Sequence, residues 1–102
     1  MSCETKLKDA QTQSIEAVLK PRFPHASIEA YRYNIASIRV RIIDDQFRGK
    51  SNPERDALVW PLLESLPEET QSDITILLLL SADETEQSMM NVEFEHPGPS
   101  LL

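Results

Sequence analysis

Glycine is nearly missing from this chain: Gly49 and Gly98 are the only two in 102 residues. A loop that cradles phosphate with its backbone needs more than that, so nucleotide binding through such a loop is excluded. Cysteine is scarcer still. Cys3 stands alone and cannot form an internal disulfide, and no Cys/His cluster has metal-ligand spacing. The two histidines, His25 and His96, both lie beside prolines near loop ends. No Ser, Cys or Thr therefore stands beside an oriented base, and the sequence offers no catalytic residue, cofactor or metal site. Long apolar runs are absent too. The longest, residues 76–80, is far below the roughly 18–20 residues that span a bilayer. The opening MSCETKLKDAQTQ lacks the apolar segment of a secretory signal. These absences together predict a non-enzymatic protein of the reducing cytoplasm, with no membrane association.

Positive charge is missing from one half only. Residues 56–102 hold ten acids and neither Lys nor Arg, while residues 1–55 hold all ten bases against seven acids. The acidic half can serve solubility, or it can compete with an acidic partner for the basic half. The net charge of −7 argues against general nucleic-acid binding.

What is present reads as one domain. Residues 4–19 carry a partial apolar stripe and are predicted to form a helix, with Ser14 an alternative cap for a shorter one. Pro21 and Pro24 end it, and Phe23 between them is placed under the sheet. Residues 27–33 and 35–43 alternate, with Asn34 between them, which predicts a tight antiparallel hairpin. On the second run Ile38, Val40 and Ile42 point one way, and Ser37, Arg39 and Arg41 the other. Asp44-Asp45 closes that strand; without a tuning pocket the pair is a strand end, not an acid/base couple. After the loop 47–52, Ser51 and Glu54 form a capping box, and Pro53 suits the first turn of a helix through Leu66. Pro61 inside that helix predicts a kink or break near Trp60, and Pro67 a stop. An acidic linker, 68–72, leads to a strand at 73–81, which a right-handed crossover places parallel to the second.

The order α-β-β-α-β implies an α+β, two-layer sandwich: a three-stranded mixed sheet with both helices on one face. The other face is expected to carry Tyr31, Tyr33, Arg39 and Arg41, with Leu77 and Leu79 if the third strand is in phase. Such an apolar face attracts a cover, a partner or a second copy, so Tyr31, Tyr33, Leu77 and Leu79 are interface candidates and homodimerisation through them is an open reading. The tail can supply the cover, because Met90, Val92 and Phe94 alternate as a fourth strand near 89–95 would. Residues 1–14 are an N-terminal extension or helix start, 15–82 the domain, and 83–102 an acidic tail.

One cluster invites an anion or an acidic peptide. Arg39 and Arg41 share a strand face, and Arg48, Lys50 and Arg55 surround the loop that feeds a helix N-terminus. The alternative is that Arg55 pairs with Asp44 or Asp45 and the others are solvated.

The same residues resemble the BolA family. There a strand is followed by Phe-x-Gly and, eight residues after the Phe, by an Arg-His-Arg run opening the second helix. Here RVRIIDDQFRG supplies the strand with Phe47 and Gly49, and Arg55 falls eight residues after Phe47. Leu58, Val59, Trp60 and Leu63 match the apolar helix positions, and IEAVLKPRFPHASIEAYRYN is similar to the first helix and strand. The resemblance covers residues 15–81. It implies the fold derived above, related to class II KH domains, and makes Phe47, Arg48, Gly49, Lys50 and Arg55 binding candidates. It also departs from the family pattern. Asp56 and Ala57 replace the His and second Arg, and the segment between the first two strands is short. No His opens the last strand near residues 73–75, where the family has a cluster ligand shared with monothiol glutaredoxins. The KH-type Gly-x-x-Gly clamp is absent as well.

The reading that follows is a non-catalytic BolA-like adaptor, regulatory in character, which lacks the family's iron–sulfur histidine and binds a protein through the loop–helix region or the open sheet face. One alternative is a nucleic-acid module using the five basic residues. Another is a monothiol glutaredoxin partner in iron–sulfur handling, with ligation through a residue such as His25.

Overall fold

The computed structural model describes residues 7–98. Its elements run α1 (Ala10–Leu19), β1 (Ser27–Asn34), β2 (Ser37–Ile43), α2 (Asn52–Leu63), α3 (Glu68–Asp73), β3 (Ile74–Leu80) and α4 (Met89–Glu95). Cys3 and the expected helix start at Glu4 lie outside the described residues.

Local chemistry sets the helix ends. Asp9, not Ser14, caps α1: its side chain accepts from the Thr12 N–H while the Thr12 hydroxyl accepts from the Asp9 N–H. Ser51 and Glu54 form the expected box at the start of α2. Pro61 does not break that helix. It is solvent-exposed and sits in the last turn, so the missing N–H falls just before the helix ends at Leu63. Residues 68–73 are not a linker but the short helix α3, which Pro67 opens.

The sheet has the order β1-β2-β3, with β1 antiparallel and β3 parallel to the central strand. The Asn34 side chain accepts from the Ala36 N–H and closes the hairpin. Ile38, Val40 and Ile42 face a core shared with Ile15, Leu19, Phe23, Phe47, Val59 and Leu63, all fully buried. That core joins α1 and α2 to one sheet face, as the sequence order implied.

Two expectations fail at β3 and the tail. Val40 pairs with Leu77 and Ile42 with Leu79 in the parallel register, so Leu77 and Leu79 face the core instead of the second face. The register slips by one residue at Thr75, between Ile38↔Ile74 and Arg39↔Ile76, and this sets the phase. Residues 89–95 are an α-helix and not a fourth strand, with Ser88 capping the Asn91 N–H. The tail is nevertheless a cover: α4 lies on the second face, so the sheet has helices on both sides.

Candidate functional site

The predicted anion cluster is dispersed by the fold. Arg39 and Arg41 project from the central strand into the layer beneath α4 and are nearly buried. Arg39 donates to Glu93 at 3.0 Å, and Arg41 to Glu29 at 3.1 Å, to Asn91 at 2.7 Å and to Glu95. Arg55 is buried at the first turn of α2. Its fork grips Glu84 through both Nη atoms at 2.7 and 2.9 Å, while Nε reaches the Lys50 carbonyl and Nη1 the Leu79 carbonyl. Its partner is thus neither Asp44 nor Asp45. This charged, bidentate contact holds the Glu84 carboxyl down at about 2. Phe47 is fully buried against Phe23, with ring centres 5.6 Å apart, so it supports the core instead of meeting a ligand. Gly49 has φ +76°, a left-handed turn that explains the glycine with no ligand involved. Arg48 is exposed but held by Asp45 and Asp83, at 2.8 and 3.0 Å. Of the five predicted cations, only Lys50 is exposed and without an ion pair among the described residues.

The second sheet face is likewise occupied. Tyr31 is fully buried under Phe94, ring centres 4.8 Å apart in an edge arrangement, and its hydroxyl donates to the Phe94 carbonyl at 2.8 Å. The Arg39 guanidinium lies 3.7 Å from the centre of the Tyr33 ring, and Tyr33 donates to the Gly98 carbonyl. Tyr31 is therefore buried and Tyr33 half-buried, and α4 stands where a second copy would have to pack.

The two sheet edges differ sharply. On β1 the outward backbone is occupied at Ala30 and at the Arg32 N–H. Glu16 accepts from the Ala30 N–H at 2.8 Å, Lys8 donates to the Ala30 carbonyl, and the Leu7 carbonyl takes the Arg32 N–H at 2.7 Å. A charge pair standing on an edge strand prevents further strand addition there. On β3 the Leu80 carbonyl accepts from Asp44 on the β2 side. By two-residue alternation, Leu77 and Leu79 direct their backbone groups outward. Among the described residues, the Arg55 bond to the Leu79 carbonyl is the one side-chain hydrogen bond on that edge. Beside it runs a groove of about 630 Å³ between α2 and the α4 N-terminus, lined by Arg55, Asp56, Leu77, Leu78, Glu84 and Met90 among others. The charge of Arg55 is cancelled there by Glu84, which leaves Asp56 to set an acidic rim.

The start of β3 presents Asp73, bound to Arg32 at 2.9 Å, and the Thr75 hydroxyl, bound to Ser37. Among the described residues no group of three or more His, Cys, Asp or Glu is placed to hold a metal. No described helix is long and apolar enough to cross a membrane.

No protein-family model matches the sequence, and no curated protein does. Solved structures do resemble the fold. BolA1 from Mus musculus superposes with a TM-score of 0.57 at 17% identity, over 85% of this chain and 77% of that one. The XC975 protein gives 0.53 at 18% identity, over 76% of this chain and 95% of the other. BolA1 from Arabidopsis thaliana gives a looser 0.46 at 20% identity, over 72% and 92%. Identity this low speaks to architecture alone, and on that ground the chain carries the α+β fold of BolA proteins, with its three-stranded mixed sheet.

Proposed function

We propose that the chain is a non-catalytic, BolA-like adaptor that receives an extended segment of a partner protein along the outer edge of β3. The single observation behind this reading is the asymmetry of the two sheet edges. One is blocked at Ala30 and Arg32 by Lys8, Glu16 and the Leu7 carbonyl; the other leaves outward backbone groups beside half-buried Ile76, Leu77 and Leu78. An added strand pairs with such an edge through main-chain hydrogen bonds and sets alternate side chains into the flanking groove. The acidic rim and the base-free half of the chain favour a segment with apolar alternation and basic ends. The nucleic-acid reading fares worse, because Arg39, Arg41 and Arg55 are committed to internal carboxylates.

The test uses a short peptide alternating Val and Thr with Lys at both ends. Amide shifts in the ¹⁵N-labelled protein should concentrate on residues 75–79, and N-methylation of the peptide's edge-facing amides should abolish them. Shifts elsewhere, or equal binding by the methylated peptide, would sink the strand-addition reading. Dimers that form through this edge and exclude the peptide would make the occupant a second copy.

A further inference from the structure

The helix α4 has the chemistry of a ligand more than that of a structural layer. It is seven residues long, and Phe94 is its one buried side chain. Met89, Met90 and Val92 are 83%, 47% and 55% exposed, so most of its apolar surface adds nothing to docking. An isolated helix this short does not persist in water, and its order derives from the face it lies on.

That face is complementary to it in charge and shape. Glu93 reaches Arg39, Glu95 reaches Arg41, and Phe94 packs edge-on to Tyr31 and beneath the Arg41 guanidinium, 4.6 Å from its ring centre. Part of the receptor side is arranged by contacts that do not involve α4. Arg39 stacks on Tyr33, and Arg41 is held by Glu29, its register partner on β1. The fit is also incomplete. The Nε atoms of Arg39 and Arg41 are buried with no hydrogen-bond acceptor, so α4 leaves two guanidinium donors unsatisfied. A short, incompletely satisfied element with a single buried side chain belongs to the low-stability end of a fold and opens before the sheet does.

We infer that α4 is a displaceable internal ligand, and that the Tyr31–Tyr33–Arg39–Arg41 face beneath it binds an acidic segment of a partner protein carrying an aromatic residue flanked by carboxylates. This surface is separate from the β3 edge and does not rest on the strand-addition reading. Release of α4 and capture of the partner are one exchange, since both present an aromatic ring between carboxylates to the same two arginines. Occupancy is then set by the partner's concentration against an intramolecular competitor.

The probe is a fluorescein-labelled peptide of residues 88–98, titrated against the full chain and its Phe94→Ala variant. Weakening the internal copy should tighten peptide binding at least tenfold. Arg39→Gln in the Phe94→Ala background should remove that gain, and so should a peptide with Gln at both Glu positions. Equal binding to wild type and Phe94→Ala overturns the inference. Preference for a single-stranded oligonucleotide over the peptide overturns it as well, as does dimerisation by mutual exchange of α4. Should Phe94→Ala fail to fold, amide exchange in the wild-type protein decides. Residues 92–96 must exchange at least a hundredfold faster than the β2 amides, and a common rate would mean that α4 is a permanent layer.

Discussion

Arg55 concentrates the single-residue energetics of this protein. Its guanidinium ties the loop before α2, the outer edge of β3 and the turn Ala82–Glu84 into one knot. Removing it takes a donor from the Leu79 and Lys50 carbonyls and leaves the Glu84 carboxylate with the Ser81 N–H and solvent. Arg55→Ala is therefore expected to destabilise by about 2–4 kcal/mol in urea unfolding. Lysine should recover only part of this, because an ammonium cannot reproduce the two-pronged contact. The partner carries its own signature in pH. Glu84 titrates at about 2 in the folded chain against 4.5 unfolded, so its contribution is present above 4.5 and disappears as pH falls toward 2. With 37% of its side chain exposed, solvent screening makes that contribution modest. Glu84→Gln should flatten the acid limb of a stability–pH curve between 4.5 and 2 and leave neutral stability lower. An unchanged acid limb would show that other carboxylates control it. Gly49 is simpler. Its φ of +76° penalises any Cβ while nothing lies within 4 Å, so Gly49→Ala should cost about 1 kcal/mol through the backbone alone.

At the scale of elements, the chain was legible where local chemistry decides and opaque where partners do. The Ser51–Glu54 box, the Asn34 hairpin and the alternation of Ile38, Val40 and Ile42 are local facts and stand as read, although β2 starts at Ser37 instead of Ile35 and α2 ends at Leu63 instead of Leu66. The phase of β3 is not local. It depends on the slip at Thr75 against β2, and without that slip Leu77 and Leu79 could not be assigned to a face. Residues 89–95 alternate and also tolerate a helix; Arg39, Arg41 and Tyr31 select the helix, and their meeting with it is a tertiary event. Arg32 was missed for the same reason. It joins Asp9 and Gln11 at the start of α1 to Asp73 at the end of α3, a hub with no sequence signature. Pro61 misled through position: a proline that breaks a helix centre costs less in its last turn. It still lacks an N–H on an exposed surface, so Pro61→Ala should raise stability by about 1–2 kcal/mol, read from the urea midpoint. No gain would mean that the proline stiffens the unfolded chain enough to offset the lost bond.

For the molecule as a whole, the charge asymmetry of the sequence is an internal one. Asp73, Asp83, Glu84, Glu93 and Glu95, all from the base-free half, pair with Arg32, Arg48, Arg55, Arg39 and Arg41 from the other. The acidic half closes over the cations it accompanies, which explains why a cluster so plain in sequence is hardly a surface in the fold. This has a measurable consequence for nucleic acid. Five exposed cations on a single strand would give a salt slope of about −3.5, at roughly 0.7 per phosphate contact. Of those five, only Arg48 and Lys50 are exposed, and Arg48 is shared with Asp45 and Asp83, while Lys20 and Arg22 lie apart on the connection after α1. Any oligonucleotide binding followed by anisotropy should therefore be weak, with a slope near −1.4 at about 0.7 for each of two contacts. A slope steeper than about −3 that persists when Lys20 and Arg22 are replaced by Gln would show that Arg39, Arg41 and Arg55 reach phosphate, so that their carboxylates do not hold them in solution. The Phe94→Ala variant gives the internal calibration. If α4 is what withholds Arg39 and Arg41, the variant's slope should steepen toward that of four contacts while Arg55 stays bound to Glu84.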